Sequence, residues 1–224
     1  MNTTKFLVQL SFLCFLCFGF SQESAIYSHE TFRYNSALSL YNTQQFQSAQ
    51  LIFQSVKSTT SDSFLKSNAT YYIANCAVRL NQPNAEFLVE SFVRDYPSSN
   101  KRNSAYFEIA NYYFKNSKYA YACKWYEKVE INRLSRLNSE PFHFNYGYSL
   151  YKIKKYEKAK LNLKLLESSQ VYGSQVKYYI GFMAYEADDY KMASVYFNQL
   201  EGVEAFNETL AYYQSDLNFK LGNF

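Results

Sequence analysis

One spacing limits what this chain can fold into more than any other property. Small residues recur at Ala37, Ala74, Ala110, Gly147 and Gly181, in steps of 37, 36, 37 and 34. A second set, Ala49, Ala85, Ala122, Ala159 and Ala193, recurs in steps of 36, 37, 37 and 34. Four residues after each of these stands a large apolar side chain: Phe53, Val89, Tyr126, Leu163 and Phe197. A few residues before them come the aromatics Phe46, Tyr119, Tyr156 and Tyr190, whereas the second period has Asn81-Gln82-Pro83. Two markers held in phase through five periods are the mark of stacked helical hairpins.

The reason for the spacing is close packing. Alanine or glycine in mid-helix lets an antiparallel neighbour approach, and a residue four further on lies on the same face. One hairpin cannot bury its apolar face alone, so hairpins must stack. The pattern predicts helix pairs over 30–43 with 45–58, 63–80 with 83–95, 101–116 with 119–131, 139–154 with 156–168 and 172–187 with 190–201. A further first helix is expected at 204–221. Asp62 and Ser99 are candidate N-caps. Ser139-Glu140-Pro141 reads as a helix start with proline in its first turn.

Over residues 32–224 the pattern resembles the tetratricopeptide repeat family. Ile109-Ala110-x2-Tyr113 with Ala122-x3-Tyr126 fits best, and Ile180-Gly181 with Ala193-x3-Phe197 is next. Pro97 stands where that family's closing proline belongs, after the second repeat alone, and Val89 and Leu163 replace its aromatic. The resemblance implies an all-α, right-handed solenoid over 30–224, with five repeats and the first helix of a sixth. Phe224 lies 34 residues after Tyr190, where a further second helix is due. The reading is therefore either the N-terminal part of a longer protein or an end covered by another chain.

Composition agrees with a helical chain rich in large side chains. Hydrophobic residues are 48% and aromatics 20%, while 6 Gly and 3 Pro argue against a β-rich or disordered chain. Residues 1–21 read as a signal peptide: Lys5, an apolar run over 6–20, then Gly19-Phe20-Ser21, with cleavage after Ser21. An uncleaved anchor is the alternative. Cys14 and Cys17 sit in the run behind Phe12-Leu13 and Phe15-Leu16, which are too bulky for a lipidation site. A polar entry follows at 22–29. The signal's ending looks like those of Bacteroidota, so the resemblance implies an exported, periplasm-facing protein.

Beyond the leader, 22 basic residues against 19 acidic leave a net charge of +3, and no run of five Lys or Arg occurs. Nucleic acid binding has no electrostatic footprint here. Cys76 and Cys123 are too few for a disulfide framework and read as two small buried thiols, the alternative in an exported chain being a bridge between them. His29 and His143 are isolated, so no metal site is expected. No phosphate-cradling loop occurs, and Asp188-Asp189 falls at a turn. No cofactor and no enzymatic activity are expected. Asn68-Ala69-Thr70 and Asn207-Glu208-Thr209 match the glycosylation triplet but fall within helices.

In the tetratricopeptide family the first helices line a concave face. By that resemblance Tyr34, Tyr71, Phe107, Phe144, Tyr178 and Tyr212 form one row, and Tyr41, Val78, Phe114, Tyr151, Tyr185 and Phe219 a second, seven residues on. The rows would wall a groove able to grip a peptide or a helix, or would be ordinary packing of the repeat. Between them Asn75 with Arg79, and Asn111 with Lys115, are spaced i, i+4; Lys152 and Lys220 share the basic position. Some members clamp a peptide's carboxylate with such pairs, and this chain has Tyr71 and Phe107 where they carry a further basic residue. The expected function is a non-catalytic, protein-binding adaptor of the bacterial envelope, in contact with an envelope or outer-membrane complex. The alternative is a structural array that self-associates through its C-terminal end.

Overall fold

A computed structural model describes residues 29–222; the predicted leader, with Cys14, Cys17 and the cleavage site, lies outside them, as does Phe224. Eleven α-helices, and no strand, occur among the described residues. They are α1 (29–42), α2 (Phe46–Thr59), α3 (Ser63–Arg79), α4 (Ala85–Asp95), α5 (Arg102–Lys115) and α6 (Tyr119–Tyr126). Then follow α7 (Arg136–Lys152), α8 (Tyr156–Leu163), α9 (Gly173–Glu186), α10 (Tyr190–Asn198) and α11 (Asn207–Leu221). The chain divides into two compact units, one ending at Ala105 and the other beginning at Tyr106.

In the first unit α1 pairs with α2 and α3 with α4. Ala37, Ala49, Phe53, Leu65, Ile73 and Cys76 share one buried cluster. Asp62 caps α3: its Oδ1 accepts from the backbone N–H of Phe64 at 2.8 Å and of Leu65 at 3.2 Å. Pro97 follows the residue that ends α4, where no further helical N–H is needed. The second hairpin lacks a turn aromatic and fills the place with an amide pair. Gln50 Nε2 donates to Gln82 Oε1 at 3.0 Å, and Gln82 Nε2 returns a bond to Gln50 Oε1 at 2.9 Å.

In the second unit α7 pairs with α8 and α9 with α10. The small residues sit where the register requires. A Cβ on Gly147 would stand 2.8 Å from Cδ2 of Leu163, and one on Gly181 would stand 2.7 Å from Cε1 of Phe197. These are the two partners that the spacing singles out. Ala122, Ala159 and Ala193 are fully buried.

Every hairpin closes in the same way. Gln44, Asn81, Ser117, Lys154 and Asp188 have positive φ, between 54° and 62°. Each lies seven residues after its small residue. The next backbone N–H reaches back five residues in all five turns: Gln45 to Leu40, Gln82 to Ala77, Lys118 to Tyr113, Lys155 to Leu150 and Asp189 to Ala184, at 2.9 or 3.0 Å. This is the Schellman closure of a helix on a left-handed residue. Gly222, φ 74°, ends α11 in the left-handed region one 34-residue step after Asp188.

Several details differ from the sequence reading, among them the end of α8 at Leu163, short of residue 168. α7 starts at Arg136, so Pro141 is its sixth residue and not in its first turn. The carbonyl left without a donor belongs to Leu137, which is 87% exposed, so water can serve it. α6 ends at Tyr126, because Lys128 and Val129 turn back to carbonyls three residues earlier and tuck Val129 inward. Ser99 does not cap α5; its Oγ accepts from Lys101 N at 3.3 Å, ahead of the helix start at Arg102.

Candidate binding face

Each first helix presents three positions spaced i, i+4, i+7: Tyr34-Leu38-Tyr41, Tyr71-Asn75-Val78, Phe107-Asn111-Phe114, Phe144-Tyr148-Tyr151, Tyr178-Phe182-Tyr185 and Tyr212-Asp216-Phe219. The outer two positions are the rows expected from sequence.

The first-row aromatics serve their own hairpins. Tyr34 meets Phe53 edge-on at 5.5 Å, Tyr71 meets Phe92 at 5.6 Å, Phe107 meets Tyr126 at 6.4 Å and Tyr178 meets Phe197 at 6.2 Å. Tyr71 is 7% exposed and Phe107 4%, so neither offers an open ring face. Phe144 stacks on Tyr172 at 4.5 Å and stays half-buried. The second-row aromatics rest on the turn aromatic of their hairpin: Tyr41 on Phe46, Phe114 on Tyr119, Tyr151 on Tyr156 and Tyr185 on Tyr190, at 5.4 to 6.1 Å. All four are half-buried.

The amides between the rows are committed to side-chain networks. Asn75, 3% exposed, accepts from the Tyr41 hydroxyl at 2.6 Å and donates to the Tyr71 hydroxyl at 3.2 Å. Arg79 Nε reaches the same Asn75 oxygen at 3.5 Å. Asn111 Oδ1 accepts from the Tyr126 hydroxyl at 2.6 Å and from Asn145 Nδ2 at 3.1 Å. Arg79, Lys115 and Lys152 are exposed. Lys152 Nζ lies 5.9 Å over the Tyr119 ring, and Lys220 Nζ 4.5 Å over Tyr190. The basic residues at this position thus cover turn aromatics in two repeats.

The central positions of α7 and α9, Tyr148 and Phe182, were not singled out from sequence. Here they join the rows into a half-exposed aromatic sheet within the second unit. Tyr148 lies 5.9 Å from Phe114, 6.0 Å from Tyr151 and 5.1 Å from Tyr179. Phe182 lies 6.0 Å from Tyr151 and 5.7 Å from Tyr213. Tyr148 and Phe182 follow Asn75 and Asn111 by the same repeat steps; that register was the available signal. Burial pushes the Tyr151 hydroxyl up to about 12, with Tyr178 adding to it, and raises Tyr148 and Tyr179. At neutral pH the face therefore offers neutral hydroxyls beside ring carbon.

His143 is structural, its Nδ1 3.1 Å from Asn162 Oδ1. Cys76 and Cys123 are free, buried thiols. Among the described residues no three His, Cys, Asp or Glu side chains cluster to hold a metal, and no helix is long and apolar enough to cross a membrane.

Comparison with known proteins places the fold. Residues 79–165 match the family described as anaphase-promoting complex, cyclosome, subunit 3. A search of the curated proteins gives no match. Among solved structures, MamA in its MSR-1 form superposes with TM-score 0.59 at 14% identity, over 80% of this chain and 98% of that one. A MamA mutant gives 0.62 at 14% identity, over 79% and 92%. PilF of Pseudomonas aeruginosa gives 0.52 at 12% identity, over 87% and 93%. The chain is built of tetratricopeptide-like repeats. In these tetratricopeptide-like hairpins the small residues and turns carry the fold, and α7 and α9 carry the aromatic sheet.

Proposed function

We propose that the chain is a non-catalytic adaptor that holds a protein or peptide against the aromatic face of its first helices. The observation that supports this is the half-exposed sheet of Phe114, Tyr148, Tyr151, Tyr179, Phe182 and Tyr213. A globular interior would bury such rings fully. Rings that keep one side in water while packed edge to edge are rigid, and they cost little entropy to cover. An extended peptide could lay apolar side chains on the rings and accept from the tyrosine hydroxyls. With the signal peptide read from residues 1–21, the partner belongs to the bacterial envelope. No residue set in the described face suits nucleophilic or metal chemistry.

The test is capture from an envelope extract, followed by a titration with the partner found. Tyr148→Ser with Phe182→Ser should weaken binding at least about tenfold while helicity is kept. Unchanged affinity would sink the reading.

A second reading rests on α11. Tyr212 is 70% exposed and Phe219 68%, whereas their counterparts in earlier repeats are half-buried or buried. An aromatic helix face of this kind suits self-association. Sedimentation of the parent against Tyr212→Ser with Phe219→Ser tests it: a concentration-dependent dimer lost in the variant supports it, and a monomer in both removes it.

A further inference from the structure

We infer that the first unit carries a binding site for a neutral carbohydrate. It lies between the first two turns of α3 and the 96–100 connector and shares no residue with the aromatic face. A depression of about 430 Å³ opens there, within the range of small-molecule sites. Ser63, Phe64, Ser67 and Asn68 of α3 line one side; Tyr96, Asn100 and two serines line the other.

Three features select the ligand class. No lining side chain carries a charge. Hydroxyls and carboxamides both donate and accept, which matches the hydroxyl groups of a sugar. An ion would have to leave water for uncharged partners, and that is unfavourable.

Asn68 supplies the second feature. It is 6% exposed and lines the depression. A carboxamide offers N–H donors and a carbonyl acceptor, so a ligand hydroxyl can both accept from it and donate to it. Asn68-Ala69-Thr70 also matches the glycosylation triplet, but burial closes Asn68 to attachment. Thr70 is likewise buried, its hydroxyl donating to the Lys66 carbonyl at 2.8 Å.

The third feature is Phe64. It lines the depression and is 66% exposed. An open ring beside hydroxyls and amides suits the C–H face of a pyranose, which is the apolar side of an otherwise polar molecule. Asp62 stands beside Ser63 but is not among the lining residues, and its Oδ1 is turned to the backbone N–H groups of Phe64 and Leu65.

The experiment titrates the full chain with D-glucose, N-acetyl-D-glucosamine and cellobiose, followed by saturation-transfer NMR and calorimetry. The expected result is saturable binding of at least one of them in the millimolar range. Phe64→Ala and Asn68→Ala should each weaken it about tenfold or more. Asn68→Leu removes the carboxamide from the depression, so it should abolish binding. Phe64 sits on the surface, so Phe64→Ala decides the matter even if an Asn68 variant folds poorly. Absence of saturable binding for all three sugars, or binding unchanged in Phe64→Ala, overturns the proposal. Failure here leaves the protein-binding face untouched, because the two sites share no residue.

Discussion

Gly181 is pressed against the ring of Phe197: a methyl group on its Cα would stand 2.7 Å from Cε1 and 2.8 Å from Cδ1. Phe197 is fully buried and Tyr196 Cβ would lie 3.1 Å away, so the ring has little room to retreat. Gly181→Ala should therefore destabilise by about 1–3 kcal/mol through overpacking, although alanine is the better helix former by about 1 kcal/mol. Urea unfolding of the variant checks this. A gain in stability would show that α9 and α10 do not need glycine for their close approach.

The five left-handed turn residues make a second, opposite prediction. Lys154 has φ 60°, a conformation that costs an L-residue about 1–2 kcal/mol. Lys154→Gly should raise stability by up to about 1 kcal/mol, since glycine's looser unfolded state returns part of the gain. Lys154→Val should lower it by more than about 1 kcal/mol, because a β-branched residue fits this region worst. Chemical denaturation of the pair against the parent measures both signs.

These turns mark where the sequence was legible and where it was not. The hairpin register could be read from Ala110, Ala122 and their counterparts, because close approach admits few side chains. The left-handed residue seven places on was harder to read, since Gln44, Ser117 and Lys154, unlike Asn81 and Asp188, have no preference for that region; the geometry is imposed by the helices on either side. Pro141 misled for a related reason. Its ring is compatible with a first turn, but a solvent-exposed second turn tolerates it as well. At the binding face the period showed which side the aromatics share, not which would be covered. Tyr71 and Phe107 are spent on Phe92 and Tyr126. Tyr148 and Phe182 escaped notice because the same register holds Asn75 and Asn111 in earlier repeats.

Alkaline pH should unfold the chain earlier than an ordinary helical protein. Burial raises Tyr34, Tyr146, Tyr151 and Tyr196 to about 12. A tyrosine raised in the folded state keeps its proton where the unfolded chain has lost it. Its contribution is whole below pH about 10 and is lost as pH climbs towards 12. Absorbance of phenolate and far-UV circular dichroism should change together in that window. Tyrosine ionisation complete by pH about 10.5 with helicity intact would contradict the packing described.

The two thiols should be inert. Burial raises Cys76 to about 12, with Arg79 opposing it, and Cys123 to about 11, with Lys155 opposing it. Almost no thiolate exists at neutral pH. A thiol reagent should label neither in the native protein over minutes and both in denaturant; rapid native labelling of either would place it at the surface.

The most direct test of the account compares two arginine substitutions on one helix. Ala122 is fully buried and Ala120, two residues before it on α6, is exposed. If small residues in register let the helices nest, Ala122→Arg wedges a charge into a space shaped for a methyl group and should cost at least about 3 kcal/mol. Ala120→Arg should change stability by less than about 0.5 kcal/mol. Equal effects from the two, or a parent-like unfolding curve for Ala122→Arg, would contradict the hairpin register on which the fold and its binding face are built.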